Sequence, residues 1–191
     1  TQNIAAKAMQ DFGYDDLGFI SQSCLFMSFS VTSLFCSSIV GKLGSKYSLV
    51  LAAVLRVVWQ ISFLIPATRY DWIKQGILPE AITQFYLQTN FIRPLMIVSG
   101  LVSGCGSAIT WVAHGAYIAQ CASIRNRGRF NGYAWIVLNI SAIFGNFLGG
   151  FLISRVTYST FYSVIPVIAI FAAIFLLGVS KPDPVTEDDF D

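Results

Sequence analysis

The chain has 191 residues, of which 55% are hydrophobic and only 12% are charged, and its formal net charge is +2. Soluble domains carry about 25% charged residues, so this chain has too few polar side chains to coat a water-facing surface. The small, scattered net charge also argues against nucleic acid as a partner. The composition therefore excludes an ordinary soluble enzyme and favours an all-α integral membrane protein whose solvent is the lipid bilayer.

Residues 1–10 are the first candidate helix. They are apolar enough to end a helix but too few to cross a bilayer, which takes about 20 residues. They also lack the basic start and apolar centre of a signal peptide. We interpret them as the outer end of a truncated first helix.

Five long apolar stretches follow. Each is long enough to cross about 30 Å of hydrocarbon, whereas helices of soluble proteins average about 11–12 residues. We expect spans at residues 17–41, 47–68, 94–120, 130–154 and 158–180, with Arg56 as their one charged residue. Together, residues 1–180 then form a transmembrane half-bundle.

The connections between the spans predict the topology. Residues 42–46 and 125–129 are short and basic, which is typical of cytoplasmic loops. The acidic stretch 11–16 and the connection after the second full span then lie on the opposite side. Residues 181–191 form an acidic tail that returns to the cytoplasmic face, and we expect it to be disordered.

Residues 67–93 carry charges of both signs, which break any apolar window of spanning length. We therefore predict an amphipathic connection here and not a further span. It has room for a short surface helix, with Trp72 and Tyr86 at the membrane interface.

The polar and sulfur-containing side chains predict no catalytic, metal or cofactor site. The four cysteines form no CxxC pair and lie in or beside apolar stretches, as small core residues do. His114 is the only histidine and cannot complete a zinc site with such cysteine spacing. Paired carboxylates, a Ser/His/Asp set and a phosphate-binding glycine loop are not recognisable, so we expect no enzyme.

Arg56 is the clearest candidate for a functional residue. A charge at this depth of a span costs at least about 2.5–3.5 kcal/mol, and such residues usually face a cavity or a partner. Two interpretations stay open. The guanidinium binds an anionic or polar ligand or a carboxylate of another chain, or it bonds carbonyls and water at a helix interface.

Other polar side chains lie within the spans. Trp111, His114 and Tyr117 are spaced three apart and share one helix face, which either lines a cavity or makes hydrogen bonds between helices. Asn139 and Asn146 share a face of the next span, where bonding to a neighbouring helix competes with ligand contact. Small residues in the Gly100-xxx-Gly104 and Gly145-xxx-Gly149 patterns predict close helix packing.

Several motifs occur in the order of a known family. The stretch from Gly106 to Tyr117, GSAITWVAHGAY, resembles the fourth-helix signature of the Unc-type ("uncoordinated ninety-three") ion-channel regulatory branch of the major facilitator superfamily. The stretch GRFNGYAW from Gly128 is similar to the opening of that family's fifth helix. The motif positions are Gly44, Lys46, Gly115, Arg129, Asn131, Gly132 and Trp135.

The resemblance implies the N-terminal six-helix half of a major facilitator fold, with its first helix truncated and its second half missing. Two positions depart from the family: His114 replaces a common Gln, and Gly41 stands where transporters have an Asp. The family implies a regulatory or accessory partner of a channel or other membrane complex. A secondary transporter of a small solute and a structural subunit of a membrane assembly are the alternatives.

The expected partners are the lipid bilayer and another membrane protein chain or the missing C-terminal half. The plasma membrane, an endomembrane and the mitochondrial inner membrane all stay open as its location.

Overall fold

A computed structural model describes residues 2–77, 84–122 and 125–180, and these residues form helices joined by short turns. No strand occurs among them. The tail 181–191 and its expected disorder lie outside the described residues, as do residues 78–83 of the predicted connection. The helices are α1 (Gln2–Asp11), α2 (Leu17–Leu43), α3 (Ser45–Ser62), α4 (Leu64–Lys74), α5 (Thr89–Cys121), α6 (Arg127–Ile153) and α7 (Tyr158–Gly178), with a 3-10 turn at Phe85–Leu87.

Five of these segments are long and apolar enough to cross a membrane, with α3 and α4 counted together as Ser45–Lys74. They agree in number and order with the five expected spans. The largest differences in their bounds are that α4 extends the second span beyond residue 68 and that α5 begins at Thr89, before residue 94, while the other ends differ by at most three residues. α1 is a helix of 10 residues, so a sixth full span is not established.

Pro66 accounts for the break between α3 and α4. Its ring nitrogen has no hydrogen to donate to the carbonyl of Ser62, one turn earlier. The backbone N–H of Phe63 bonds instead to Gln60 O at 3.3 Å, and the helix resumes with Ala67 N–H bonding to Phe63 O at 3.1 Å. The second span is therefore one helix with an interruption at its Pro66 turn.

α5 is the central helix, and glycines bring it close to both neighbours. A Cβ at Gly100 would lie 2.6 Å from Ser21 O, and one at Gly104 would lie 2.2 Å from Leu25 O, both on α2. On the other side, a Cβ at Gly106 would lie 3.0 Å from a backbone oxygen of α3. The prediction of close packing at Gly100 and Gly104 is confirmed, because only a missing side chain permits this approach.

α6 packs weakly by comparison. Gly149 is its one buried residue, and Phe147 is 75% exposed. A Cβ at Gly145 would meet nothing within 4 Å, so the prediction of close packing there is wrong for the described part of the chain. The main link to α5 is Trp135, whose ring stacks on Trp111 at a centroid distance of 5.7 Å.

The two ends of the bundle differ in chemistry. We call the end holding the turns at residues 42–46 and 125–129 the basic end, and there Ser45 Oγ donates to Gln120 Oε1 at 2.8 Å. We call the opposite end, with the turns at residues 12–16 and 154–157, the aromatic end. The shared position of the two basic turns agrees with the predicted topology.

Charged groups at the aromatic end hold helix termini together. Asp71 in α4 is buried, and its Oδ2 accepts the backbone N–H of Ser159 at 2.7 Å, in the first turn of α7. Tyr158 donates its hydroxyl to Asp11 Oδ2 at 2.6 Å, which ties α7 to the end of α1. A carboxylate at a helix N-terminus also interacts favourably with the helix dipole.

Arg69 makes a second connection at this end. Its Nη1 donates to the hydroxyls of Tyr14 and Thr89, the latter at 3.0 Å, and so joins α4 to the α1–α2 turn and to α5. A hydrophobic cluster lies directly beneath these polar contacts. Its largest fully buried members are Met9, Phe63, Ile92 and Met96.

Candidate functional site

Arg56 faces a cavity inside the bundle, near the middle of the span Ser45–Lys74. The cavity has a volume of about 510 Å³, within the range of about 300–1,000 Å³ typical of ligand pockets. Residues of α2, α3, α5, α6 and α7 form its wall, and Ala5 of α1 lies at its edge. The polar and aromatic lining residues are Arg56, Trp59, Gln60, Phe63, Ser103, Ser107, Trp111, Asn146, Phe161 and Tyr162.

Two more cavities continue along α5. The next, of about 460 Å³, shares Arg56, Ser107 and Trp111 with the first. A third, of about 610 Å³, shares His114 with the second and reaches Cys121 near the basic end. We call the three together the α5 track, which runs from beneath the aromatic-end cluster toward the basic end.

Arg56 has no hydrogen bond and no ion pair with any residue that the structure describes. Its side chain is nevertheless accessible, because it projects into the cavity and not into a packed interface. Within the part of the chain that the structure describes, no Asp or Glu lines the first two cavities. Among those residues, the guanidinium is therefore the one formal charge on this part of the α5 track.

Polar atoms in the wall of the first cavity also lack partners. Trp59 Nε1, Gln60 Oε1 and Tyr162 Oη are buried without a hydrogen bond to the described residues. Each such group costs about 1–3 kcal/mol when left unsatisfied.

The predicted site residues divide between the cavities and the surface. Arg56, Trp111 and Asn146 line the first cavity. His114 lines the second and third, and Tyr117 lines the third while its hydroxyl donates to Ser180 O at 3.0 Å. Asn139 lies away from these cavities, and its amide donates to Trp135 O at 2.8 Å within α6.

Sequence reasoning missed several lining residues that helical spacing could have found. Trp59, Gln60 and Phe63 lie three, four and seven positions after Arg56, which places all of them on one face of α3 and its C-terminal cap. Ser103 and Ser107 precede Trp111 by eight and four positions on α5. Tyr162 has no such signal, because its position depends on how α7 packs against α3.

The motif positions lie mostly at the basic end. Gly44 adopts a φ of 79°, which favours glycine, and this allows the tight turn between α2 and α3. Arg129, Asn131 and Gly132 are exposed at the start of α6, and Lys46 is half-buried at the start of α3. Gly115 has open space around it, and Trp135 packs on Trp111.

Comparison with known proteins places these features in a family. Residues 2–191 match the family model described as the Major Facilitator Superfamily. UNC93-like protein MFSD11 of Xenopus laevis is 24% identical over 191 residues, covering 96% of this chain and 37% of that protein. MFS-type transporter ucsD of Acremonium sp is 32% identical over 95 residues, covering 48% of this chain and 16% of that protein.

The chain thus spans well under half the length of these relatives, with 37% of the UNC93-like protein covered. No solved structure gives a significant match.

Proposed function

Because the chain belongs to the major facilitator superfamily and is an integral membrane protein, we propose that it binds a small solute in the α5 track, as one half of a secondary transporter. The observation that carries the proposal is the accessible, unpaired Arg56 in a cavity near the middle of a span. Transporters of this architecture bind their solutes near the bilayer midplane, between two halves that move against each other.

The energetics of Arg56 support this proposal over a purely structural role. An uncompensated charge at this depth is expensive, and long side chains escape the cost by reaching the interface only near helix ends. Arg56 is too far from either end of its 30-residue span for this escape. Water, a solute in the cavity or a carboxylate of another chain is the remaining source of compensation.

A cysteine in the cavity tests whether solutes enter it. Ser107 lines both of the first two cavities, so Ser107→Cys, in protein whose native cysteines are replaced, should react with a charged thiol reagent. Ser163→Cys is the matched control, because Ser163 is exposed on α7 but lies outside the three cavities. Solutes that bind in the track should slow the reaction at position 107.

The two outcomes separate clearly. Rapid labelling at position 107, slowed by at least one compound of a solute panel, supports binding. Labelling at position 107 that is as slow as at position 163 means that the cavity holds no water, and the proposal then fails.

A regulatory or accessory role is the second candidate, and the exposure of α6 favours it. Asn131 and Asn139 are exposed on a helix with one buried residue, and polar groups facing lipid are expensive. Another membrane chain, or further helices of a longer protein, would cover this surface. The likeness to an UNC93-like protein over 96% of the chain is consistent with this role.

Photo-crosslinking from α6 tests that candidate in native membranes. A photoreactive residue at Ile143, which is 68% exposed, should capture a distinct polypeptide. The matched control is Phe175 on α7, which is 77% exposed. Capture of lipid alone from both positions would count against an accessory role, and a stable complex without solute binding would favour a structural subunit.

A further inference from the structure

We infer that the α5 track takes an oxyanion-bearing ligand with a flat apolar body, bound through its carboxylate or phosphate to Arg56 and through its ring to Trp111. This inference rests on the proposed function, because it names the class of solute for the same cavity. The Arg56 and Trp111 side chains are shared by the first and second cavities, so a ligand at their junction contacts both.

The positive charge at this junction favours a negatively charged ligand. Among the described residues, Arg56 is the only charged one that lines the first two cavities, and Arg stays protonated at any physiological pH. A cationic ligand would meet an uncompensated like charge in a site of low dielectric constant. An oxyanion instead neutralises the guanidinium and can accept two parallel N–H bonds from it.

The unpartnered hydrogen-bond donors in the cavity wall also favour a negatively charged ligand. Arg56 and Trp59 Nε1 are donors without acceptor capacity, and neither has a partner among the described residues, whereas Gln60 Oε1 is an unpartnered acceptor in the same wall. A ligand that satisfies the two donors must supply acceptor atoms. Oxygen-rich anionic groups supply the most acceptors in the smallest volume.

The aromatic side chains define the rest of the ligand. One face of Trp111 stacks on Trp135, yet the side chain is still 44% exposed, so much of the indole remains available to a ligand. Deeper in the cavity, Phe63 lies edge-to-face with Trp59 and stacks on Tyr162 at 5.1 Å. Flat rings gain contact area on an exposed aromatic face such as that of Trp111, and offset stacking contributes further.

Binding of 2-naphthoate to the protein in phosphatidylcholine nanodiscs tests the inference, with 2-naphthamide as the uncharged probe of the same shape. We expect the carboxylate to bind about 10- to 100-fold tighter than the amide, the range for hydrogen bonds between charged partners. Empty nanodiscs correct for partition into lipid. Quenching of tryptophan fluorescence reports occupancy beside Trp59 and Trp111.

Substitutions test whether Arg56 is the side chain that causes the preference for the carboxylate. Arg56→Gln should abolish the preference for the carboxylate, and Arg56→Lys should keep part of it, because the positive charge remains. Arg155→Gln is the matched control, since Arg155 lies in the α6–α7 turn at the aromatic end, outside the cavities. Gel filtration and circular dichroism confirm that each variant is folded before affinities are compared.

The outcomes separate the inference from the proposed function. Equal affinity for carboxylate and amide overturns the anion preference but leaves solute binding intact, whereas failure of both probes to bind contradicts both. A preference that survives Arg56→Gln overturns the role of Arg56. Nanodiscs with phosphatidylglycerol, whose headgroup is anionic where that of phosphatidylcholine is zwitterionic, distinguish the source of the oxyanion. With empty nanodiscs of the same lipid as the reference, loss of naphthoate binding there assigns the site to an anionic lipid headgroup, and unchanged binding assigns it to a free solute.

Discussion

Gly104 is where α5 approaches α2 most closely. A Cβ at this position would lie 1.9 Å from Ser28 Oγ and 2.2 Å from Leu25 O, and the helix backbones cannot separate without disturbing the Ser28 bond to Leu101 O. We predict that Gly104→Ala lowers the free energy of unfolding by about 1–3 kcal/mol, as overpacking usually does. Unfolding in mixed micelles, followed by circular dichroism, measures the change.

Gly115→Ala is the matched control on the same helix. A Cβ there meets nothing within 4 Å, so the better helix propensity of alanine should leave stability unchanged or raise it by up to about 1 kcal/mol. Equal effects at the two positions would show that the close approach of α2 and α5 is not as described.

Asp71 stabilises the start of α7 from a neighbouring helix. We predict that Asp71→Ala lowers the free energy of unfolding by about 1–3 kcal/mol, because the charged hydrogen bond to the Ser159 N–H is lost in a buried setting. Asp15→Ala, at an exposed turn position, is the control and should change stability by less than about 0.5 kcal/mol. A similar loss for both variants would contradict a capping role.

At the scale of helices, the sequence predicts that a membrane helix exists better than it predicts where the helix begins and ends. An uncharged stretch of spanning length identifies a membrane helix because hydrocarbon excludes unpaired charges. Arg69 and Asp71 therefore seemed to end the second span at residue 68. In the structure both charges have partners in other helices, at Thr89 and Ser159, so the helix continues to Lys74.

The faces of the helices are harder to predict than their lengths. In water, an apolar stripe marks the buried side of a helix, but in a bilayer the lipid-facing side is equally apolar. This explains why Arg56 and Trp111 could be singled out as polar or aromatic exceptions, whereas Tyr162 could not. It also explains why close packing was wrongly predicted at Gly145, because a pattern of small residues does not say whether the helix that it would contact is present.

At the scale of the molecule, the alternation of spans predicts two opposite faces. We predict that cysteines at Lys42 and Arg125 react with a membrane-impermeant maleimide from one side, and a cysteine at Gln75 only from the other. All three native residues are exposed, and the four native cysteines would first be replaced, because Cys121 is itself exposed. By the distribution of basic residues, the first two should face the cytoplasm.

The test uses sealed vesicles of known orientation, so that the reagent reaches the protein from one side only. Labelling of all three positions from the same side would overturn the topology. Labelling of positions 42 and 125 from one side and of position 75 from the other, but with the sides exchanged, would keep the fold and reverse the orientation in the membrane.

The hydrophobic cluster at the aromatic end has an electrical consequence. Met9, Phe63, Ile92 and Met96 fill that end, while the α5 track extends from beneath them to Cys121 near the basic end. When water fills the track, the electrical potential inside it is close to that of the solution at the basic end. Most of the transmembrane voltage then falls across the hydrophobic cluster. Arg56 itself then senses little of the field. If the track binds an anion as inferred above, an anion leaving Arg56 across the cluster would cross nearly all of the field, at about 2.3 kcal/mol per charge for each 100 mV.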